Sequence, residues 1–514
     1  MSSAAGLTLT ELATHLGEFR PVLTGDGTIR VSDVSQDSRS VRPGTLFVAR
    51  QGQNTDGARF VTDAEHNGAA ALLLEESVQT PSALPSLTVR ELPRAFALAS
   101  EAVHHFPSQA LELVGITGTN GKTTTAHLVY ECLKQLQLRS AKLGTLGYED
   151  PDGTVGSALT TPQADTLSRL LARARDTGCG HAVMEVSSHA LALQRVSALR
   201  FAVGAFSNLT QDHLDFHRTL QAYGEAKAQL FFQLSPGQAV INVDDAFGRQ
   251  LAERFARARP ESLITVSARG ESSSLGGRHL RVVGCAQSAK GTRLRVACSA
   301  DVVILETELV GAHNVDNWLL CLGILTALGV NLAQLQRFAG RIPSAPGRLE
   351  RCDLDSDDIA VLVDYAHTPD ALARALQATR SMTTGKLWCV MGCGGDRDPD
   401  KRSLMGRAAR EFADYSIVTS DNPRSEDPET IALAIEAGLS TPSGPRVYER
   451  CLDRRAAIRR AVLSAAPGDT VLIAGKGHEA YQIVGSEHRP FDDRVEARAA
   501  LAHRREGAIP EGHG

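Results

Sequence analysis

The run Gly115-Ile116-Thr117-Gly118-Thr119-Asn120-Gly121-Lys122-Thr123-Thr124-Thr125 constrains this chain more than any other. The Leu-Glu-Leu-Val of residues 111–114 reads as the end of a buried strand, and residues 126–138 read as the helix that follows. A glycine-rich turn between strand and helix points backbone N–H groups at a bound phosphate, and the helix N-terminus adds the positive end of its dipole. The expected cradle is Gly118, Thr119, Asn120, Gly121, Lys122, Thr123 and Thr124. Lys122 would reach the β- and γ-phosphates, and the Thr123 hydroxyl would ligate Mg²⁺. The usual GxxxxGK[ST] spacing wants glycine at 116. Isoleucine stands there instead, and glycines 115 and 118 make the pattern GxxGxxGKT. The bland alternative is a Gly/Thr-rich turn with an exposed lysine. On its own the loop indicates a nucleoside triphosphate and leaves the reaction open.

A chain of 514 residues holds about three domains. Its 42% hydrophobic and 22% charged residues are those of a globular protein, and a net charge of −5 points to neither nucleic acid nor a membrane surface. No window has the 18 or so uncharged apolar residues of a membrane span, and the N-terminus lacks the basic and apolar stretches of a signal peptide. The nine cysteines are scattered, and Cys389 and Cys393 are the closest pair without forming CxxC. Buried free thiols in a reducing compartment, the cytoplasm, are expected.

The chain reads as α/β with three domains. Residues 1–107 form a small α/β unit, with a short helix over 9–16 opened by Thr8 or Thr10. Residues 108–345 alternate strands and helices, which predicts a mostly parallel sheet carrying the P-loop. Within them, 270–310 reads as an antiparallel insertion. Pro343-Ser344-Ala345-Pro346-Gly347 reads as a linker, and 346–514 as a third, Rossmann-like α/β domain.

In open α/β sheets ligands bind beyond the carboxyl ends of the strands. One such end is Glu185-Val186-Ser187-Ser188-His189, where Glu185 is a natural Mg²⁺ ligand. The next, residues 207–217, gathers Asn208, Asp212, His213, Asp215 and His217, any of which could join a metal shell. Lys227 alone reads as a solvated charge. Further on, Asp364 is placed to hold a ribose hydroxyl. Arg397, Arg424 and Glu479 fall at successive strand ends around one expected crevice. Two arginines and a glutamate suit a zwitterion, because the planar guanidinium binds carboxylate bidentately. Structural ion pairing is the alternative.

Together these segments resemble the Mur ligase family, and within it the members that add the third residue of the peptidoglycan stem peptide. The resemblance spans residues 30–500. It rests on Gly115–Thr123, Thr160-Thr161-Pro162, Glu185–His189, Asn208–His217, Tyr223–Lys227, His313–Asn317, Pro346-Gly347-Arg348, Asp364–Pro369, Gly392–Asp398, Asp421–Arg424 and Gly475–Glu479. It implies a UDP-sugar domain, a central ATPase and an amino-acid domain, working as a monomer on small molecules. Gln36, Ser38, Gln53, Asn54 and Thr55 would hold the UDP-muramoyl portion, and Thr160, Thr161, Ser187 and Arg195 its peptide and sugar parts. Leu193 stands where the family often has a polar contact. Asn314 and Asn317 would approach the adenine, with Arg348 and Asp364 near the phosphates and ribose. Lys227 matches the lysine that the family carbamylates with CO₂, an oxygen ligand for a second Mg²⁺ together with Glu185 and His213. Arg397, Asp421, Asn422, Pro423, Arg424, Gly475 and Glu479 match the amino-acid pocket, and the Asp-Asn-Pro-Arg form resembles enzymes that take meso-2,6-diaminopimelate.

The implied reaction is ATP-dependent amide formation through an acyl phosphate, with catalysis resting on Lys122, Glu185, His213 and Lys227. L-Lysine or L-ornithine is the alternative amine. A folylpolyglutamate synthase would share the loop and the lysine but lacks the Asp-Asn-Pro-Arg pocket. A P-loop regulatory ATPase would leave Arg397, Arg424 and Glu479 without a purpose.

Overall fold

Short apolar runs separated by turns build the first sheet. Its strands are β1 (Val22–Thr24), β2 (Asp33–Ser35), β3 (Thr45–Ala49), β4 (Ala69–Glu75) and β5 (Ser86–Val89), in the order β1-β5-β4-β3-β2. All but β1 run parallel. The helix Leu9–His15 starts at Thr8, which exchanges capping-box hydrogen bonds with Glu11. The computed structural model describes residues 6–50, 57–78, 80–157, 159–271, 275–288, 291–298, 301–440 and 447–507.

The central sheet has eleven strands. They are β6 (Glu112–Thr117), β7 (Ser140–Gly144), β8 (Gly147–Asp150), β9 (Gly153–Val155), β10 (His181–Glu185), β11 (Val203–Phe206), β12 (Gln238–Asn242), β13 (Leu263–Ser267), β14 (Arg278–Ser288), β15 (Gly291–Cys298) and β16 (Asp301–Thr307). Their order is β9-β8-β7-β10-β6-β11-β12-β13-β14-β15-β16, and pairings from β7 to β14 are parallel. Strands β6, β10, β11 and β12 are apolar on both faces, as helix-covered parallel strands must be. Leu113, Met184, Phe206 and Ile241 lie in one buried cluster. Strands β14–β16 lie in succession at one edge of this sheet, within the stretch 270–310.

The third sheet contains β17 (Glu350–Arg351), β18 (Ala360–Asp364), β19 (Leu387–Met391), β20 (Tyr415–Val418), β21 (Val447–Arg450) and β22 (Thr470–Ala474). The order is β17-β18-β22-β19-β20-β21, parallel except for β17. Behind the end of β22, Arg454 forms a fully buried ion pair with Asp493 at 2.7 Å and donates to Ala474 O at 2.9 Å.

The chain divides into two units. The first is Met1–Val283, Arg295–Val303 and Asp316–Phe338, and the second is Gly284–Leu294, Ile304–Val315 and Ala339–Gly514. No helix among the described residues is long and apolar enough to cross a membrane. All nine cysteines are free thiols.

Candidate functional site

In the first unit, β10, β6 and β11 are neighbours, so Glu185, the Gly118–Lys122 turn and Ser207-Asn208 emerge side by side at their carboxyl ends. The helix α1 (Lys122–Gln135) begins four residues before the expected position, because Lys122 to Thr125 form its first turn after a left-handed Gly121. Gly118 has φ 147°, and a Cβ there would stand 1.9 Å from Ser207 Oγ. The missing glycine at 116 is explained by position: Ile116 is a fully buried strand residue, and the turn starts two residues later. Gly115 also lies inside the strand, where a Cβ would meet the Phe201 ring at 2.6 Å, so its role is packing. Thr119 N–H donates to Asn208 O and Asn120 N–H to Asn208 Oδ1, which fixes the loop. Thr124 is buried in the first turn of α1. Lys122 Nζ donates to Gly118 O and Thr119 O, both at 2.9 Å. Asn317, on the helix Ala312–Ala327, accepts from Thr125 Oγ1 at 3.4 Å, beside Gly121.

Glu185 is 1% exposed and held from two sides. Its Oε2 accepts from Thr123 Oγ1 at 2.8 Å, and its Oε1 from Thr145 N–H at 2.7 Å. Thr123 and Glu185 therefore present hard oxygen donors together at the helix start, the donor type Mg²⁺ requires. Among the described residues no group of three or more His, Cys, Asp and Glu gathers as a metal cage.

Lys227, on α2 (Leu220–Phe232), is 1% exposed. Its Nζ donates to Gly118 O at 2.8 Å and lies 4.1 Å from the Tyr223 ring centroid. Burial, with the positive Lys122 adding to it, drives its ammonium well below the ordinary lysine pKa. An amine so placed is readily neutral, and a neutral amine is the form that adds CO₂. His213 has φ 53°, lies 3.5 Å from the Asp212 carboxylate and packs on His189, ring centroids 4.8 Å apart. No hydrogen bond among the described residues joins it to Glu185 or Lys227.

Of the residues expected to hold the UDP-muramoyl peptide, Gln36 and Arg195 line a cleft of about 700 Å³, together with Arg50, Gln163, His189 and Leu193. Thr161 Oγ1 donates to Glu185 O at 2.9 Å and accepts from Ser187 N–H at 3.0 Å. Arg195 Nη1 donates to Thr161 O at 3.0 Å, while its buried Nε and the buried Gln163 Oε1 have no hydrogen-bond partner among the described residues. Two such atoms at one cleft suit a polar ligand. Thr160 Oγ1 lies 3.1 Å from Thr145 Oγ1. Gln36 N–H donates weakly to Asp165 at 3.4 Å, and Ser38 O accepts from Asn67 at 2.9 Å. Leu193 meets the cleft with an apolar side chain. Gln53, Asn54 and Thr55 lie outside the described residues.

The second unit holds the remaining set. Asn314, in the first turn of α3 (Ala312–Ala327), is buried and donates to Val310 O at 2.9 Å. Asp364 ends β18, with Oδ2 accepting from Leu349 N–H and Oδ1 from Ala366 N–H, each at 2.8 Å. Burial raises its pKa, opposed chiefly by Arg348, whose guanidinium lies 4.8 Å from the Tyr365 ring centroid.

Asp421 and Asn422 are buried beyond β20, and Pro423 with them. Asn422 Nδ2 donates to Glu479 Oε2 at 2.9 Å. Arg424 adopts φ 52°, uncommon for a side-chain-bearing residue, and is pinned by Ile483 O at 3.1 Å and Gly485 N–H at 2.7 Å. Its Nη1 donates to Gly395 O at 2.8 Å, next to the exposed Arg397. Gly475 has φ 120°, and a Cβ there would stand 2.5 Å from Asp421 Oδ2. Asn422 thus links the Arg424 turn to Glu479, and Arg424 Nη1 and Arg397 Cγ both lie within 4 Å of where a Cβ on Gly394 would stand.

Sequence reasoning missed Thr145, Gln163, Arg50 and Lys476. Thr145 sits in no recognisable spacing, and Gln163 and Arg50 read as ordinary surface polarity. Lys476 lies within Gly475–Glu479, yet a lysine there reads as solvated until its burial is seen.

Three family models match the chain: Mur ligase family, catalytic domain, over residues 30–112; Mur ligase middle domain over 116–325; and Mur ligase, glutamate ligase domain, over 347–477. A protein of Gloeobacter violaceus named UDP-N-acetylmuramoyl-L-alanyl-D-glutamate--2,6-diaminopimelate ligase is 43% identical, covering 93% of this chain and 95% of that one. A protein of the same name from Thermosynechococcus vestitus is 42% identical, covering 98% and 99%. A solved structure bearing that name aligns with TM-score 0.71 at 33% identity, covering 97% of this chain and 99% of that one. The UDP-N-acetylmuramoylalanyl-D-glutamyl-2,6-diaminopimelate--D-alanyl-D-alanyl ligase of Acinetobacter baumannii, 16% identical with TM-score 0.64 over 98% of this chain and all of the other, shares the fold. With three matching family models and near-full-length relatives above 40% identity, the chain belongs to the Mur ligase family.

Proposed function

We propose that this protein is the ATP-dependent ligase that joins meso-2,6-diaminopimelate to the D-glutamate of UDP-N-acetylmuramoyl-L-Ala-D-Glu in cytoplasmic peptidoglycan precursor synthesis. The observation that carries the reading is the Asn422–Glu479 hydrogen bond. It brings the last two motifs together, in a chain 43% identical to a ligase named for diaminopimelate. The nine free thiols support a reducing compartment. The division 1–107, 108–345 and 346–514 assigns one substrate to each domain, with the protein acting as a monomer.

A carboxylate does not condense with an amine at neutral pH because oxide is a poor leaving group. An oxygen of the D-glutamate γ-carboxylate therefore attacks the ATP γ-phosphorus, and ADP leaves. The amine of diaminopimelate attacks the resulting acyl carbon, phosphate departs with one former carboxylate oxygen, and the nitrogen loses its proton. Lys122 and the α1 N-terminus neutralise charge on the phosphoryl group during transfer. Thr123 and Glu185 would hold one Mg²⁺, and Glu185, His213 and carbamylated Lys227 a second; when bound, the ions offset phosphate charge. Arg195, Thr160, Thr161 and Ser187 orient the acceptor carboxylate, with Gln36, Ser38 and residues 53–55 on its nucleotide. Asn314 and Asn317 approach the ATP adenine, with Arg348 and Asp364 near its phosphates and ribose. Arg397 and Arg424 take the carboxylates of diaminopimelate, and Glu479, with Asp421, Asn422, Pro423 and Gly475 shaping the turn, takes an ammonium.

The test is phosphate release with ATP, Mg²⁺ and the muramoyl dipeptide while the amine is varied. Release is expected to require diaminopimelate and the dipeptide together. Equal release with L-lysine or L-ornithine would reject the specificity, and release without any amine would reject ligation. Arg424→Ala is expected to erase the preference for diaminopimelate over lysine; an unchanged preference would place specificity elsewhere.

A further inference from the structure

Lys476 is a fully buried charge beside the amino-acid pocket, with no exposed side-chain surface. An ammonium is not taken out of water without compensation. Here Nζ donates to Asn422 Oδ1 at 3.0 Å and to Glu479 Oε2 at 3.1 Å, and its remaining side lies 5.7 Å from the Tyr481 ring centroid. Asn422 Oδ1 also accepts from Ile483 N–H at 2.9 Å. Two donors on one amide oxygen determine which way the amide faces, so Nδ2 must point to Glu479 Oε2. Oε2 of Glu479 thereby receives two hydrogen bonds, and Oε1 receives none from the described residues. The chain leaves one carboxylate oxygen committed and the other presented.

We infer that Lys476 is the positioning residue of the amino-acid pocket: it locks Asn422 and Glu479 into a single rotameric pair whose free Oε1 receives the ammonium of the incoming amino acid. This rests on the reading of the pocket as the diaminopimelate site.

The test is a double-substitution cycle of Lys476→Met and Glu479→Gln, with phosphate release measured against diaminopimelate, ATP and the muramoyl dipeptide in turn. Wild-type dependence on diaminopimelate, measured alongside, checks the reading of the pocket separately. Lys476→Met is expected to raise KM for diaminopimelate at least tenfold and leave KM for ATP and the dipeptide within twofold. In the Glu479→Gln background the same change is expected to add less than threefold, because its effect passes through Glu479. Equal effects in both backgrounds, or parallel increases in all three KM values, would overturn the positioning role and indicate packing alone. Should Lys476→Met not fold, Lys476→Gln, which keeps an N–H donor group but loses the charge and reach, is carried through the same cycle with the same criteria.

Discussion

Gly144, the last residue of β7, gives a sharp test of where Glu185 must stand. A Cβ on Gly144 would lie 2.2 Å from Glu185 Oε1 and 2.8 Å from both Cγ and Cδ. Its backbone is ordinary strand, so alanine adds no conformational strain and the whole effect falls on the carboxylate. Glu185 cannot step aside cheaply, because Thr145 N–H at 2.7 Å and Thr123 Oγ1 at 2.8 Å hold its two oxygens. Losing one hydrogen bond to a buried charged group costs about 1.5–3 kcal/mol. At about 1.4 kcal/mol per decade, that is roughly ten- to a hundredfold in rate if the carboxylate works from this position. The assay is steady-state phosphate release at saturating ATP, dipeptide and amine, titrated with Mg²⁺. Gly144→Ala is expected to lower kcat by that factor and raise the Mg²⁺ needed for half-maximal rate. Gly180→Ala, where a Cβ meets nothing within 4 Å, is the control. Wild-type kcat and Mg²⁺ dependence in Gly144→Ala would refute the reasoning.

Lys122→Met should lower kcat by about 10²–10³, the scale of a lost electrostatic donor, as read by single-turnover ADP formation. Arg454→Met leaves Asp493 buried and unpaired, so it should cost about 3–5 kcal/mol in denaturant unfolding, and Arg454→Met with Asp493→Leu should recover most of that. Burial, with Arg374 adding to it, lowers the His313 pKa to about 4 from an ordinary 6.5. Between those values the unfolded chain binds more protons there than the folded one, so stability falls as pH drops through that window. His313→Gln should flatten that part of the Tm–pH curve, and an unchanged slope would contradict the assignment.

The parallel sheets were legible because apolar strand runs end in polar, glycine-rich turns, and the P-loop announced itself through Gly118, Gly121, Lys122 and Thr123. Ile116 shows the limit of spacing alone: the pattern tolerates it because residue 116 belongs to the strand. Lys227 and Lys476 show the limit of residue type. Lys227 reads as a solvated charge and Lys476 as an unremarked member of its motif, since lysine is rarely buried without a partner. Their burial depends on contacts 109 residues away at Gly118 and 54 away at Asn422. Such contacts arise from strand order, which local periodicity does not encode. Thr145 escaped notice for the same reason, reaching Glu185 across 40 residues.

The central claim is that the γ-phosphoryl group passes to a carboxylate before the amine reacts. It is tested most directly with muramoyl dipeptide carrying ¹⁸O in the D-glutamate γ-carboxylate, turned over with ATP, Mg²⁺ and diaminopimelate, and the phosphate examined by mass spectrometry. The account predicts one ¹⁸O in each phosphate released and one retained in the new amide. Phosphate free of ¹⁸O would contradict it.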